Sequence, residues 1–240
     1  MVARNTTSKV RQEIMETIRL TDIPVTFRLR SLAKRLHVRE NSMGELEALV
    51  EQAQAVARPK ATLGLAYVDE RDDDTVTLDG ITFKSRVLQV NMKATNRAFC
   101  YVATCGRELY DWAESLDDVL LHFWAEAIEE AALRDAMRAV NGEIKRRFSP
   151  GKLVTMSPGS LIDWPITQQR PFFRLMGDPT EAIGVELKES CLMIPNKSVS
   201  GVRFEKEERF ESCQLCPRRD CPNRRMPYDA ELYEKQYAAG

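Results

Sequence analysis

From Asp117 to Phe148 the chain runs without a proline, and Leu121, Trp124, Ile128, Ala131, Leu133, Met137 and Val140 recur along it at helical spacing. Asp117 and Asp118 are placed to cap such a helix at its start. One helix of that length needs a broad apolar partner, so it is expected to form the spine of the domain. The chain can supply that partner. Its 240 residues are 43% apolar and 8% aromatic, enough to bury one substantial core.

Before the spine the periodicity changes twice. Helices are expected over Lys9–Leu20, over Phe27–His37 after the Asp22–Pro24 turn, and over Gly44–Ala57, where Leu46, Leu49, Val50, Ala53 and Val56 share a face ahead of Pro59. Residues 1–60 therefore read as an N-terminal helical cap. Residues 61–210 read as the core. Ala61–Val68 and Thr75–Phe83 have strand character around the acidic turn 72–74, with a hairpin signal at Asp79-Gly80, and Ala98–Thr104 is a nearly continuous apolar strand. Beyond the spine, Ser149-Pro150-Gly151 and Ser157-Pro158-Gly159 are sharp turns flanking the extended segment 152–156. A helix over Thr167–Met176, the segment Ala182–Leu187 and a strand over Ser198–Phe204 complete the core. Residues 211–240 form a tail of different composition, rich in cysteine, proline and arginine, within the same domain.

Charge narrows the function. The 35 basic and 36 acidic residues leave a net charge of -1, so no broad field steers the chain to nucleic acid or to a membrane surface. No apolar run reaches the length of a membrane span and none near Met1 resembles a signal sequence, which points to a cytoplasmic protein. Six cysteines in that setting suggest free thiols or metal ligands rather than disulfides. No Ser-His-Asp order, phosphate-cradling glycine loop or paired histidine motif is present, and His37 and His122 are expected to be structural.

The run Glu189-Ser190-Cys191-Leu192-Met193-Ile194-Pro195-Asn196-Lys197-Ser198-Val199-Ser200-Gly201-Val202 is the most specific in the chain. It resembles the reactivation domain of cobalamin-dependent methionine synthase, whose segment follows E-S-x-x-M-x-P-x-x-S-V-S-G. Other landmarks of that family occur in the same order: Tyr101–Gly106 with its Thr-x-Gly turn, the long helix, and Ser157-Pro158-Gly159 followed by Asp163-Trp164-Pro165 and Gln168-Gln169. The resemblance implies an α+β fold in one domain, a twisted, mainly antiparallel sheet flanked by helices with one long central helix. It also implies binding of S-adenosylmethionine, and cobalamin carried by a partner, a corrinoid-binding methyltransferase or corrinoid protein. In the family this domain lets inactive cob(II)alamin be reduced and remethylated.

The ligand residues carry over position by position. Glu130 matches the family's helix glutamate, whose carboxylate can pair with the ligand's amino group or sulfonium, the other reading being a solvated helix face. The family's Arg-x-x-Pro-Gly-Tyr loop is met by Ser157, Pro158 and Gly159, with Thr155 in the arginine position and Ser160 in the tyrosine position. The earlier turn keeps Arg147, Pro150 and Gly151 but has Lys152 for the tyrosine. Ser198, Ser200 and Gly201 are small enough for a backbone to lie against a macrocycle or partner, or to pack under the long helix.

Cys213, Cys216 and Cys221 form a C-x2-C-x4-C pattern stiffened by Pro217 and Pro222. That spacing suits sulfur ligation of zinc or an iron-sulfur cluster, with Cys191 as the candidate fourth ligand. Cys100 and Cys105 look committed to the core. Three functional readings follow: an accessory protein for a cobalamin-dependent methyltransferase, a corrinoid- or protein-binding scaffold with structural zinc, and an iron-sulfur redox protein.

Overall fold

Two short helices near the start prepare the platform on which the spine lies. The computed structural model describes residues 15–221 and 223–238. Strand β1 (Thr17–Leu20) precedes helices α1 (Leu29–Leu36) and α2 (Met43–Val56). Strands β2 (Lys60–Arg71), β3 (Thr75–Leu78) and β4 (Ile81–Lys84) follow, then α3 (Arg86–Asn91) and β5 (Arg97–Thr104). Helices α4 (Arg107–Glu114) and α5 (Val119–Phe148) lead to β6 (Leu153–Met156). Helices α6 (Gln169–Leu175) and α7 (Pro179–Ile183) and the small hairpin β7 (Glu186–Leu187) and β8 (Met193–Ile194) come before β9 (Ser198–Glu205). Helix α8 (Leu232–Gln236) is the last described element.

The main sheet has the order β4-β3-β2-β5-β9-β6, with β1 paired to the first part of β2, and every pairing is antiparallel. It is an α+β fold with one long helix, as expected. Because side chains alternate along a strand, the sheet has two distinct apolar faces. Ala61, Leu63, Phe99, Tyr101 and Ala103 face Ala136, Val140 and Ile144 of α5. Ala66, Ala98, Cys100, Val102, Val202 and Phe204 pack with Trp164, Phe172, Leu175 and Met176 on the other side.

Helix α5 spans 30 residues. Asp118 caps it, its carboxylate accepting the Leu120 and Leu121 amides at 2.8 and 2.9 Å. Lys145, Arg146 and Arg147 in its last turn complement the negative end of the helix dipole. Trp124, Ile128, Ala132, Ala136, Val140 and Ile144 lie four residues apart and are all buried. The first three pack with α1, α2 and α4, and the last three pack on the sheet.

The expected helix over Lys9–Leu20 is not the structure found. Residues 9–14 lie outside the described residues, and Thr17–Leu20 is a strand whose Thr17 and Leu20 pair with Gly64 and Ala61. The physical reason is an open edge: β3 covers only the Val68–Arg71 end of β2, leaving backbone groups at its other end to be paired. Gly64 makes room for the Met15 side chain, since a Cβ there would lie 2.4 Å from the Met15 methyl carbon. The N-terminal segment is thus joined to the sheet as well as to the helices. The tail is likewise docked, through buried Phe210, Leu232 and Tyr237 and a 3.1 Å hydrogen bond from Asn91 Nδ2 to Tyr237 Oη. Among the described residues no helix is long and apolar enough to cross a membrane.

Candidate functional site

The loop that follows β6 is held from both ends. At its start it passes over Gly201, where a Cβ would sit 2.6 Å from the Met156 carbonyl oxygen and from Ser157 Oγ, and 3.1 Å from Tyr101 Oη. Only glycine permits that approach. Within the loop, Gly159 has φ 86° and donates its amide to the Trp164 carbonyl at 2.7 Å, while the Ser160 hydroxyl donates to the Ser157 carbonyl at 2.7 Å. Trp164 is fully buried. At the far end the Asp163 carboxylate accepts the Val87 amide at 3.0 Å and the Ser85 hydroxyl. Pro158 is buried, which leaves Gly159 and Ser160 as the exposed part of the turn.

This loop is one wall of a groove of about 990 Å³. Leu215, Cys216, Pro217 and Arg218 of the tail form the opposite wall, with Tyr228 and Tyr233 also lining it. Ile162 is 90% exposed, and Ile166, Tyr228 and Tyr233 are exposed as well. Large apolar side chains clustered in this way at a concave surface suit a flat apolar ligand or a partner's apolar surface.

The small residues of β9 have partners within the fold. Ser198 Oγ is 2.9 Å from Thr104 Oγ1, and Ser200, fully buried, donates to Gln169 Oε1 at 2.8 Å. Lys197 pairs with Glu126 at 3.4 Å. Strand β9 lies between β5 and β6, with Gly201 buried in it.

A second groove, about 590 Å³, lies between α1 and α5 and is lined by Arg28, Arg35, Glu130, Arg134, Arg138 and Asn223. Glu130 is ion-paired with Arg35 and, at 3.4 Å, with Arg134. Arg138 pairs with buried Asp135, whose carboxylate also accepts the Thr26 amide at 3.1 Å. Four guanidiniums thus face two carboxylates. Burial holds the pKa of Arg134 below its ordinary range, and the neighbouring Arg35 and Arg138 act in the same direction against the pull of Glu130. Such an array can clasp an ammonium on Glu130 and a carboxylate on the arginines. Neither Ser157–Gly159 nor Ser198–Gly201 lines this groove.

The cysteine pattern is closed by a side chain that spacing alone does not reveal. The Arg224 guanidinium donates to the carbonyls of Cys213 at 2.9 Å, Cys216 at 3.2 Å and Met226 at 3.4 Å, and also to that of Arg218. Cys213 Sγ accepts the Arg225 amide at 3.5 Å. Cys191 is buried in its own turn at φ 65°, its thiol 3.9 Å from the Glu189 carbonyl oxygen. Among the described residues no three His, Cys, Asp or Glu side chains are grouped to hold a metal. The structure therefore does not gather Cys213, Cys216, Cys221 and Cys191 into one ligand set. His37 ends α1, and His122 Nδ1 lies 3.1 Å from the Ala113 carbonyl oxygen.

Glu129, which no sequence motif singles out, is the buried member of the Glu129-Glu130 pair. Its carboxylate lies 3.8 Å from Cys105 Sγ. Burial raises its pKa to about 7, helped by Glu126 and opposed by Lys197. Burial and Glu129 together push the Cys105 thiol upward. The signal was the helical phase, because Glu129 shares a stripe with Ala125, Ala132 and Ala136.

No protein-family model and no curated protein sequence matches the chain. Among solved structures, the crystal structure of the MetH reactivation domain bound to AdoHcy is similar, with a TM-score of 0.55 over 83% of this chain and 81% of that one, at 12% identity. The two share a fold. The α+β fold expected from the sequence is thus the fold found, and the likeness in fold extends over most of both chains.

Proposed function

We propose that this protein is a freestanding counterpart of the methionine synthase reactivation domain, an accessory protein that serves a corrinoid-bearing methyltransferase in trans. The observation that carries the reading is the shared fold with a domain crystallised with AdoHcy. In this reading the charged groove takes the amino-acid end of S-adenosylmethionine. Glu130 holds the ammonium, while Arg134 and Arg35 hold the carboxylate in place of the arginine that Thr155 replaces. Bound there, an S-adenosyl ligand would supply the methyl group to a partner's corrinoid that a separate one-electron donor has reduced. The chain's own residues bind the ligand, orient it and neutralise its ends. The apolar groove beside Gly159 docks the methyltransferase, with Ile162 as the most exposed contact.

Binding of a purified, corrinoid-loaded methyltransferase tests the docking half. Ile162→Asp is expected to weaken capture at least about tenfold, because a carboxylate buried at an apolar interface is strongly disfavoured. Equal capture by the wild type and the variant would place the contact elsewhere. A second reading, a scaffold without a cosubstrate, draws on the replacement of the loop arginine and tyrosine by Thr155 and Ser160. It predicts docking without S-adenosylmethionine binding.

A further inference from the structure

The tail holds two thiols in a relationship that neither the shared fold nor the proposed docking role uses. Cys213 begins a turn closed by the Cys216 amide, which donates to the Cys213 carbonyl at 3.3 Å. A turn closed between residues i and i+3 brings its end α-carbons to within about 7 Å. A disulfide spans α-carbons about 4.4 to 6.8 Å apart, so the closed turn holds the pair within or near bonding range. The turn is fixed in this form. Arg224 bonds the carbonyls of both cysteines, and Glu211 and Gln214 make a reciprocal capping box at its start. Both thiols are free and only partly buried, as is Cys221, whereas Cys100, Cys105 and Cys191 are buried; the closed turn joins Cys213 to Cys216. The Cys213 sulfur receives the Arg225 amide at 3.5 Å, a contact that fixes where this sulfur lies in the loop. Cys216 also lines the apolar groove and is therefore open to a reagent that enters it.

We infer that Cys213 and Cys216 form a thiol-disulfide exchange site that reacts with a small-molecule disulfide of the glutathione class. The Cys216 thiolate attacks one sulfur of the disulfide, whose S–S bond breaks as one thiolate leaves. The Cys213 thiolate then attacks the Cys216 sulfur of the mixed disulfide and expels the second thiolate. Two protein thiols lose two electrons, the reagent gains them, and the two protons released pass to the departing thiolates. The Cys213–Cys216 bond forms at one wall of the groove, so the redox state of the tail sets the shape of that wall.

The test is to incubate the full chain with oxidised glutathione and map its thiols by differential alkylation and mass spectrometry. The expected product has one intramolecular link between Cys213 and Cys216, with Cys221 and the three buried cysteines still reduced. Cys213→Ser should stop at one glutathione per chain on Cys216, since the second thiol is missing. A link that includes Cys221, or no link at all, would overturn the inference. So would stoichiometric zinc in the purified chain that is released only when these three thiols are alkylated, because the loop would then be a metal site. None of these outcomes depends on corrinoid or S-adenosylmethionine binding.

Discussion

At the scale of single residues, neighbours in sequence have opposite fates. Glu129 and Glu130 are indistinguishable as letters, yet one is buried beside Cys105 and the other faces Arg35 and Arg134. The difference is a rotation of one residue about the helix, which the apolar stripe encodes. The burial of Glu129 has a pH consequence. Its pKa rises on folding from 4.5 to about 7, so the native state keeps a proton that the unfolded chain releases. The associated stability is full below pH 4.5 and is lost as the pH rises through about 7, up to about 3 kcal/mol. Glu129→Gln should therefore be more stable than the wild type at pH 8 and gain little at pH 4, as read by urea denaturation at the two values. An equal gain at both would show that the carboxyl does not titrate in this range. Gly201→Ala should cost about 1–3 kcal/mol, because its methyl meets the Met156 carbonyl and Ser157 at 2.6 Å; an unchanged denaturation midpoint would mean that the loop does not rest on β9 as described.

At the scale of elements, α5, α2, the β3–β4 hairpin and β5 were legible because each carries its own signal, a periodic stripe, a cap or a turn dipeptide. Strand β1 was not, since four residues of mixed polarity acquire strand form from the edge of β2, far along the chain. Long-range pairing can override local periodicity in so short a segment. The partners of Ser198 and Ser200 were hidden for the same reason, as Thr104 and Gln169 are distant in sequence. In the tail the cysteine spacing was plain, but the role of Arg224 at the centre of the loop was not. Helix α5 offers a direct test of element energetics. Asp118→Ala removes a carboxylate that accepts two amides and should cost about 1 kcal/mol, measured as a shift in denaturation midpoint at constant slope; no shift would mean that the cap is dispensable.

At the scale of the whole molecule, the sheet presents one face to a single long helix and the other to a set of short helices and loops. The side with the long helix carries the charged groove, where α1 and α5 meet. The irregular side carries the Pro-Gly loop and the docked tail, and between them lies the apolar groove. The two grooves divide the proposed work into cosubstrate binding and partner docking. Fold class was accessible from the sequence, because strand signals, helix stripes and family landmarks pointed to one architecture. The site was less accessible: Glu130 was named, but its partners Arg35 and Arg134 come from two helices whose packing no local pattern specifies.

Calorimetric titration of the purified chain with S-adenosylmethionine tests the central claim most directly. The account predicts saturable binding of one ligand per chain, a rise in melting temperature with ligand concentration, and a loss of affinity of about ten- to a hundredfold in Glu130→Gln, the equivalent of one charge-assisted hydrogen bond. Absence of both heat and stabilisation at millimolar ligand, or undiminished affinity in Glu130→Gln, would contradict it.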